Sequence, residues 1–101
     1  MQAAIRARDP SARVELAFLE IMRPTLDEAV DALAELAEVA AGGEIVIVPA
    51  FIAAGSHLKR DLPQQAAAAM DRYPHLTIRI APPIGDSPAV IAAIAEFALQ
   101  Q

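Results

Sequence analysis

The sequence predicts an α/β fold, a parallel sheet with flanking helices, on three observations. The stretch EIVIVPAFIAAG, residues 44 to 55, is apolar without alternation, as a strand covered by helices on both faces requires. Thr25-Leu-Asp-Glu28 and Ser87-Pro88 mark helix starts, the first a capping box and the second a cap followed by proline at the first helical position. Strand-like and helix-like stretches alternate along the chain, and that order gives parallel strands joined by right-handed crossovers.

Taken in order, residues 2 to 8 read as the end of a helix. VELAFLE, residues 14 to 20, sets Val14, Leu16 and Phe18 on one face with Glu15 opposite, the pattern of an edge strand. The helix opened by Thr25 carries Leu26, Val30, Leu33 and Ala37 inward and stops at Gly42-Gly43, where a left-handed backbone costs least. Its outer face holds Asp27, Asp31, Glu35 and Glu38, which read as a solvated acidic row. EIVIVPA follows as the interior strand. Helix signals resume between Leu58 and Pro63, with Asp61 as candidate N-cap, and run through QQAAAAMDRY. HLTIRIAPP alternates Leu76, Ile78 and Ile80 against Thr77 and Arg79, a second edge strand. The last helix packs Val90, Ile91, Ile94 and Phe97 inward.

At 101 residues the chain is expected to form a single domain, residues 1 to 101. A net charge of −5 repels nucleic acid phosphates, and the absence of cysteine removes disulfides, thiolate nucleophiles and thiolate metal sites. Only His, Asp and Glu remain as metal ligands. The longest apolar run, Ile45 to Ala54, is too short to span a bilayer and contains Pro49. A cytoplasmic protein that binds neither membrane nor nucleic acid is expected.

In open parallel sheets, ligands gather beyond the carboxyl ends of the strands. Three loops meet that condition, containing Glu20 to Pro24, Ala53 to His57 and Ala81 to Asp86. They offer Glu20, Arg23, Ser56, His57 and Asp86, with Lys59 and Arg60 close behind. His57 admits two readings from its position alone: a ring that caps the following helix, or a ligand. Ser56 beside it makes no triad, since neighbours in a chain rarely face each other and no G-x-S-x-G elbow occurs. Neither GxGxxG nor GxxxxGK[ST] occurs, so no phosphate cradle is expected. His75, after Pro74 at the opposite end of the sheet, reads as a surface turn.

The combination VELAFLE, RPTLDEAV, IVIVPAFIAAGSHLKRDLP and PPIGDSPAVIAAI resembles the small CbiX/SirB-type chelatases, the sirohydrochlorin cobaltochelatases and ferrochelatases of class II. The resemblance covers the chain from Val14 onward. It implies an α/β chelatase fold and insertion of Co²⁺ or Fe²⁺ into a tetrapyrrole, sirohydrochlorin, on the path to cobalamin or sirohaem. The metal is then a substrate and no cofactor is held permanently. By the same resemblance His57 is the metal-binding and catalytic histidine. Ala53, Ala54, Gly55, Ser56 and Leu58 line the macrocycle, Met22 and Arg23 belong to a second substrate-contacting segment, and Glu20 is an acidic helper. Arg23, Lys59 and Arg60 would meet the substrate's carboxylates, or are plain surface charges.

Family members begin with a strand ending in His-Gly-Ser, and that strand lies between those represented here by VELAFLE and EIVIVPA. This chain has no counterpart of it, and its two histidines are His57 and His75. The resemblance therefore implies a chelatase impaired by loss of an opposing histidine, and a sheet that closes up into three strands, is filled by a second chain of a homo-oligomer, or is completed by a natural protein that begins upstream. The alternative reading is a catalytically inert metal- or tetrapyrrole-binding module, or the partner subunit of a complete chelatase.

Overall fold

The computed structural model describes residues 1–19, 22–52 and 56–101, with the side chains of residues 56–58 set aside. Eight elements follow one another: α1 (Gln2–Arg8), α2 (Leu26–Ala34), α3 (Ala37–Ala40), β1 (Glu44–Ile47), α4 (Ser56–Arg72), β2 (Thr77–Ile80), a 3-10 turn (Ile84–Asp86) and α5 (Pro88–Leu99). The two strands pair in parallel, with Glu44 opposite Thr77 and Ile47 opposite Ile80. The α/β class with a parallel sheet and flanking helices is therefore as expected, on a smaller sheet.

Pairing puts Ile45 and Ile78 side by side on one face, where both are buried against Leu26, Val30, Ala34, Val39, Leu62, Ala69 and Leu76. Ala66 and Ala69 on α4 are almost completely enclosed, and their small side chains let that helix lie close to its neighbours. Thr25 starts α2 as predicted: its hydroxyl accepts from the Glu28 amide at 3.2 Å, and its own amide donates to Glu28 Oε1 at 3.0 Å. The helix ends early, however. Leu36 turns extended and caps the short α3, which brings Val39 into the core beside the half-buried Leu36 and Leu33. Gly42, at φ +101°, then reverses the chain into β1.

Two of the acidic side chains on α2 do more than face water. Arg72, in the last turn of α4, donates from Nη1 to Asp27 and from Nη2 to Asp31, both at 3.0 Å, and the Tyr73 hydroxyl donates to Asp31 at 2.6 Å. These bonds clamp the carboxyl end of α4 onto α2.

Five sequence expectations need correction. VELAFLE forms no strand over its described residues: its sole ladder contact is the bridge between Phe18 and Thr25, because nothing pairs alongside it. Residues 26 to 40 make two helices instead of one. α4 begins at Ser56, so Asp61 lies within the helix instead of capping it, and Pro63 is accommodated inside at the cost of one backbone donor. β1 is an edge, not an interior strand. Gly43 O and Ile47 O accept from Thr77 and Ala81, so the intervening Glu44 and Val46 turn their backbone groups to the unpaired side. Its second face is uncovered too, with Val48 just beyond it 55% exposed.

The fifth correction concerns α5. Ile91, Ile94 and Phe97 do not point into a core: Phe97 is 66% exposed and α5 has no buried residue. Its main contact is the 3-10 turn that leads into it. The radius of gyration, 15.0 Å, exceeds the about 13 Å usual for a compact domain of 100 residues, as a helix standing off the sheet requires. No helix among the described residues is long and apolar enough to cross a membrane.

Two predictions follow from this packing. Replacement of Phe97 by alanine is expected to cost less than about 0.5 kcal/mol in urea unfolding, the surface value, instead of the about 3–5 kcal/mol of a core phenylalanine. The second concerns Asp31, whose pKa is lowered chiefly by the Tyr73 hydrogen bond and then by Arg72, against a smaller opposing effect of burial. A carboxylate whose folded pKa lies below its unfolded value stabilises the fold above about pH 4, and that contribution is lost as the pH falls through the folded pKa. Unfolding free energy should therefore drop on acidification below about pH 4, and Tyr73→Phe should make that drop shallower.

Candidate functional site

Beyond the carboxyl ends of β1 and β2 the two exit loops run side by side. The ladder continues past the strands: Ala81 donates to Ile47 O at 2.8 Å, Ile84 to Pro49 O at 3.0 Å and Gly85 to Phe51 O at 3.2 Å. Residues 49 to 52 and the turn Ile84–Asp86 are thus one backbone-stitched unit. Contact is close enough that a Cβ built on Gly85 would lie 2.0 Å from Ile52 O. Five residues after Ile52 comes His57, the second residue of α4.

Of the residues predicted for the site, Glu20, Ala53, Ala54 and Gly55 lie outside the described residues. Ser56, His57 and Leu58 form the first turn of α4, with side chains outside the description, and Lys59 and Arg60 follow as exposed residues. Asp86 is exposed on the 3-10 turn, and Ser87 caps α5 by accepting from the Val90 amide. The structure therefore sets residues 49 to 52, which lead toward the expected Ala53–His57 loop, against the turn Ile84–Asp86 at the end of the expected Ala81–Asp86 loop.

Of the third expected loop, residues 22 to 24 are described. Met22 is 62% exposed, and Arg23 donates from Nε to Glu28 Oε1 at 3.1 Å, the same oxygen that accepts from the Thr25 amide. Phe18 N donates to Pro24 O at 2.9 Å and closes the loop's base. The Glu28 carboxyl is held below its usual range, first by the Thr25 backbone amide and then, after a small opposing burial effect, by the Thr25 and Arg23 side chains. Arg23 is thus directed to α2 by an exposed ion pair, which costs little to break.

Among the described residues no group of three or more His, Asp or Glu could hold a metal ion. His75 is exposed at the other end of the sheet, its ring edge-on to Tyr73 with centroids 6.4 Å apart. A groove of about 380 Å³ has no residue of the expected site in its lining: Arg13, Leu33, Glu38 and Val39 line it together with the first three residues of β1. It runs at the amino end of the strand, against its unpaired edge.

The described residues form a small parallel α/β unit with stitched exit loops and a histidine in the first turn of the helix after β1. The chain belongs to the CbiX family, which it matches over residues 1–101. It is 38% identical over 85 residues to a sirohydrochlorin cobaltochelatase from Sulfolobus acidocaldarius, covering 84% of this chain and 63% of that protein. It is 29% identical over 80 residues to a sirohydrochlorin ferrochelatase from Bacillus subtilis, covering 79% of this chain and 29% of that protein. The crystal structure of a CbiX protein from Marinobacter aquaeolei superposes with a TM-score of 0.73 at 28% identity, covering 97% of this chain and 78% of the other. The chain thus spans less than two thirds of the length of these two curated relatives.

Gly85 is not among the residues predicted for the site; its signal in the sequence is a glycine just beyond a strand and two prolines. The Met22–Arg23 loop depends on the capping box at its base. Thr25→Ala is expected to lower stability by about 1 kcal/mol in denaturant unfolding, with the Met22 and Arg23 amides exchanging faster with solvent.

Proposed function

We propose that the chain acts as a sirohydrochlorin chelatase domain, in which His57 delivers Co²⁺ or Fe²⁺ to the macrocycle on a path to cobalamin or sirohaem. The observation that carries this reading is the membership of the CbiX family together with the position of His57, in the first turn of α4 beyond the carboxyl end of β1. Curated relatives named for both metals leave cobalt and iron as the two candidates.

In this reading the neutral imidazole of His57 offers its lone pair to a borderline divalent metal. As the metal enters, the two pyrrole N–H groups of the macrocycle must lose their protons, and Glu20 is the proposed acceptor. Ala53, Ala54, Gly55, Ser56 and Leu58 would form a wall of small and apolar groups along the flat ring, with Met22 on a second side. Arg23, released from Glu28, would pair with a peripheral carboxylate. His57 and His75 are the chain's two histidines and lie at opposite ends of the sheet, so no second imidazole accompanies His57 at the mouth. Turnover is accordingly expected to be slow, since a missing acid–base group costs about 10²–10⁴ in rate.

The test is absorbance-monitored insertion of Co²⁺ and of Fe²⁺ into sirohydrochlorin, with Co²⁺ binding measured in parallel by calorimetry. Insertion above the protein-free rate is expected, together with Co²⁺ binding that is lost in His57→Ala. Insertion no faster than the blank would overturn the enzymatic reading. Unchanged Co²⁺ affinity in His57→Ala would remove His57 as the ligand.

A further inference from the structure

We infer that Gly85 is a positioning residue for the His57-bearing turn, through the backbone of Ile52; the inference rests on the reading of His57 as the metal ligand. Gly85 is not needed for an unusual backbone angle, since the positive-φ glycine of the described residues is Gly42. It is needed for room. A Cβ at this position would sit 2.0 Å from Ile52 O, 2.6 Å from its carbonyl carbon and 2.8 Å from its Cα, all inside the 3.0 Å below which such contacts essentially never occur. These are backbone atoms, so no side chain can swing aside to make space.

The close approach has a purpose in the hydrogen-bond pattern. The amide of Gly85 reaches Phe51 O and that of Ile84 reaches Pro49 O, extending the parallel pairing beyond the sheet. Residues 49 to 52 are the last described stretch before the helix that carries His57, and they are held from one side by this turn. Adding a single methyl at residue 85 forces the Ile52 carbonyl outward by at least about 1 Å, and a displacement of that size at a site is enough to cost about 10² in function. The turn after β2 thereby sets the course of residues 49 to 52, from which the chain continues toward the helix that carries His57.

The test uses the whole chain in Gly85→Ala, with two readouts. Its two histidines give two pairs of imidazole carbon–proton NMR signals, so the ring of His57 can be followed with His75 as internal reference. In Gly85→Ala the His57 signal should move while the His75 signal stays, and Co²⁺ affinity should fall by about 10–100-fold, the usual effect of losing an outer support of a metal ligand. Gly42→Ala, strained at φ +101° but at the other end of β1, is the control for loss of stability alone and should leave both readouts within about twofold of the parent.

Should Gly85→Ala fail to fold, Ile84→Pro asks the same question more gently. It deletes the donor to Pro49 O at the first position of the 3-10 turn, where proline is tolerated, and Pro83 before it already has the extended geometry that precedes proline, φ −55° and ψ 147°. A folded Gly85→Ala with an unmoved His57 signal and parental Co²⁺ affinity overturns the inference, as does an unmoved signal in Ile84→Pro. If His57→Ala keeps its Co²⁺ affinity, the metal reading falls by itself, and the His57 ring signal in Gly85→Ala still decides the positioning role.

Discussion

The parallel pairing of Glu44–Ile47 with Thr77–Ile80 is the interaction on which the other features rest. Two strands alone are marginal, since each hydrogen bond contributes only about 1 kcal/mol net, and they persist here because their paired isoleucines share a buried layer with α2, α3 and α4. The dependence runs both ways. Without the register that aligns Ile45 with Ile78, the small residues of α4 would have no flat apolar surface to approach. The same register continues into the loops and decides which backbone amide meets which carbonyl there.

Much of the architecture could be read from the sequence because it is local. The capping box at Thr25, the Ser87 cap with Pro88, and the alternation of Leu76, Ile78 and Ile80 each report chemistry within a few residues, and each is found where expected. What the sequence could not report is whether a suitable surface has a partner. VELAFLE has strand alternation, EIVIVPA the apolar character of an interior strand and α5 an apolar face, yet side-chain polarity states only what an element could bury. The start of α4 is hidden for a different reason: Asp61 and Pro63 look like a helix beginning, but a proline inside a helix removes one donor and need not end it.

The candidate site divides along the same line. That His57 belongs to a strand-to-helix turn was legible from an apolar strand, a glycine and the polar run after it. The union of the two exit loops was not, because it is made by backbone groups of Pro49, Phe51, Ile84 and Gly85, which no pattern of side chains records. The sequence assigns the glycine of PPIGD no role, whereas the structure leaves no room there for a side chain against the Ile52 carbonyl.

The uncovered helix α5 has a consequence for the protein as a colloid. Glu96 is its one ionisable side chain, while Phe97 and Leu99 stand in water at 66% and 88% exposure. Near neutral pH the formal charge of −5 keeps neighbouring molecules apart, but the sequence isoelectric point is about 4.8, and there that repulsion vanishes while the greasy surface remains. Clumping in mildly acidic buffer is thus a property of one naked helix, separate from any loosening of the buried layer beneath it.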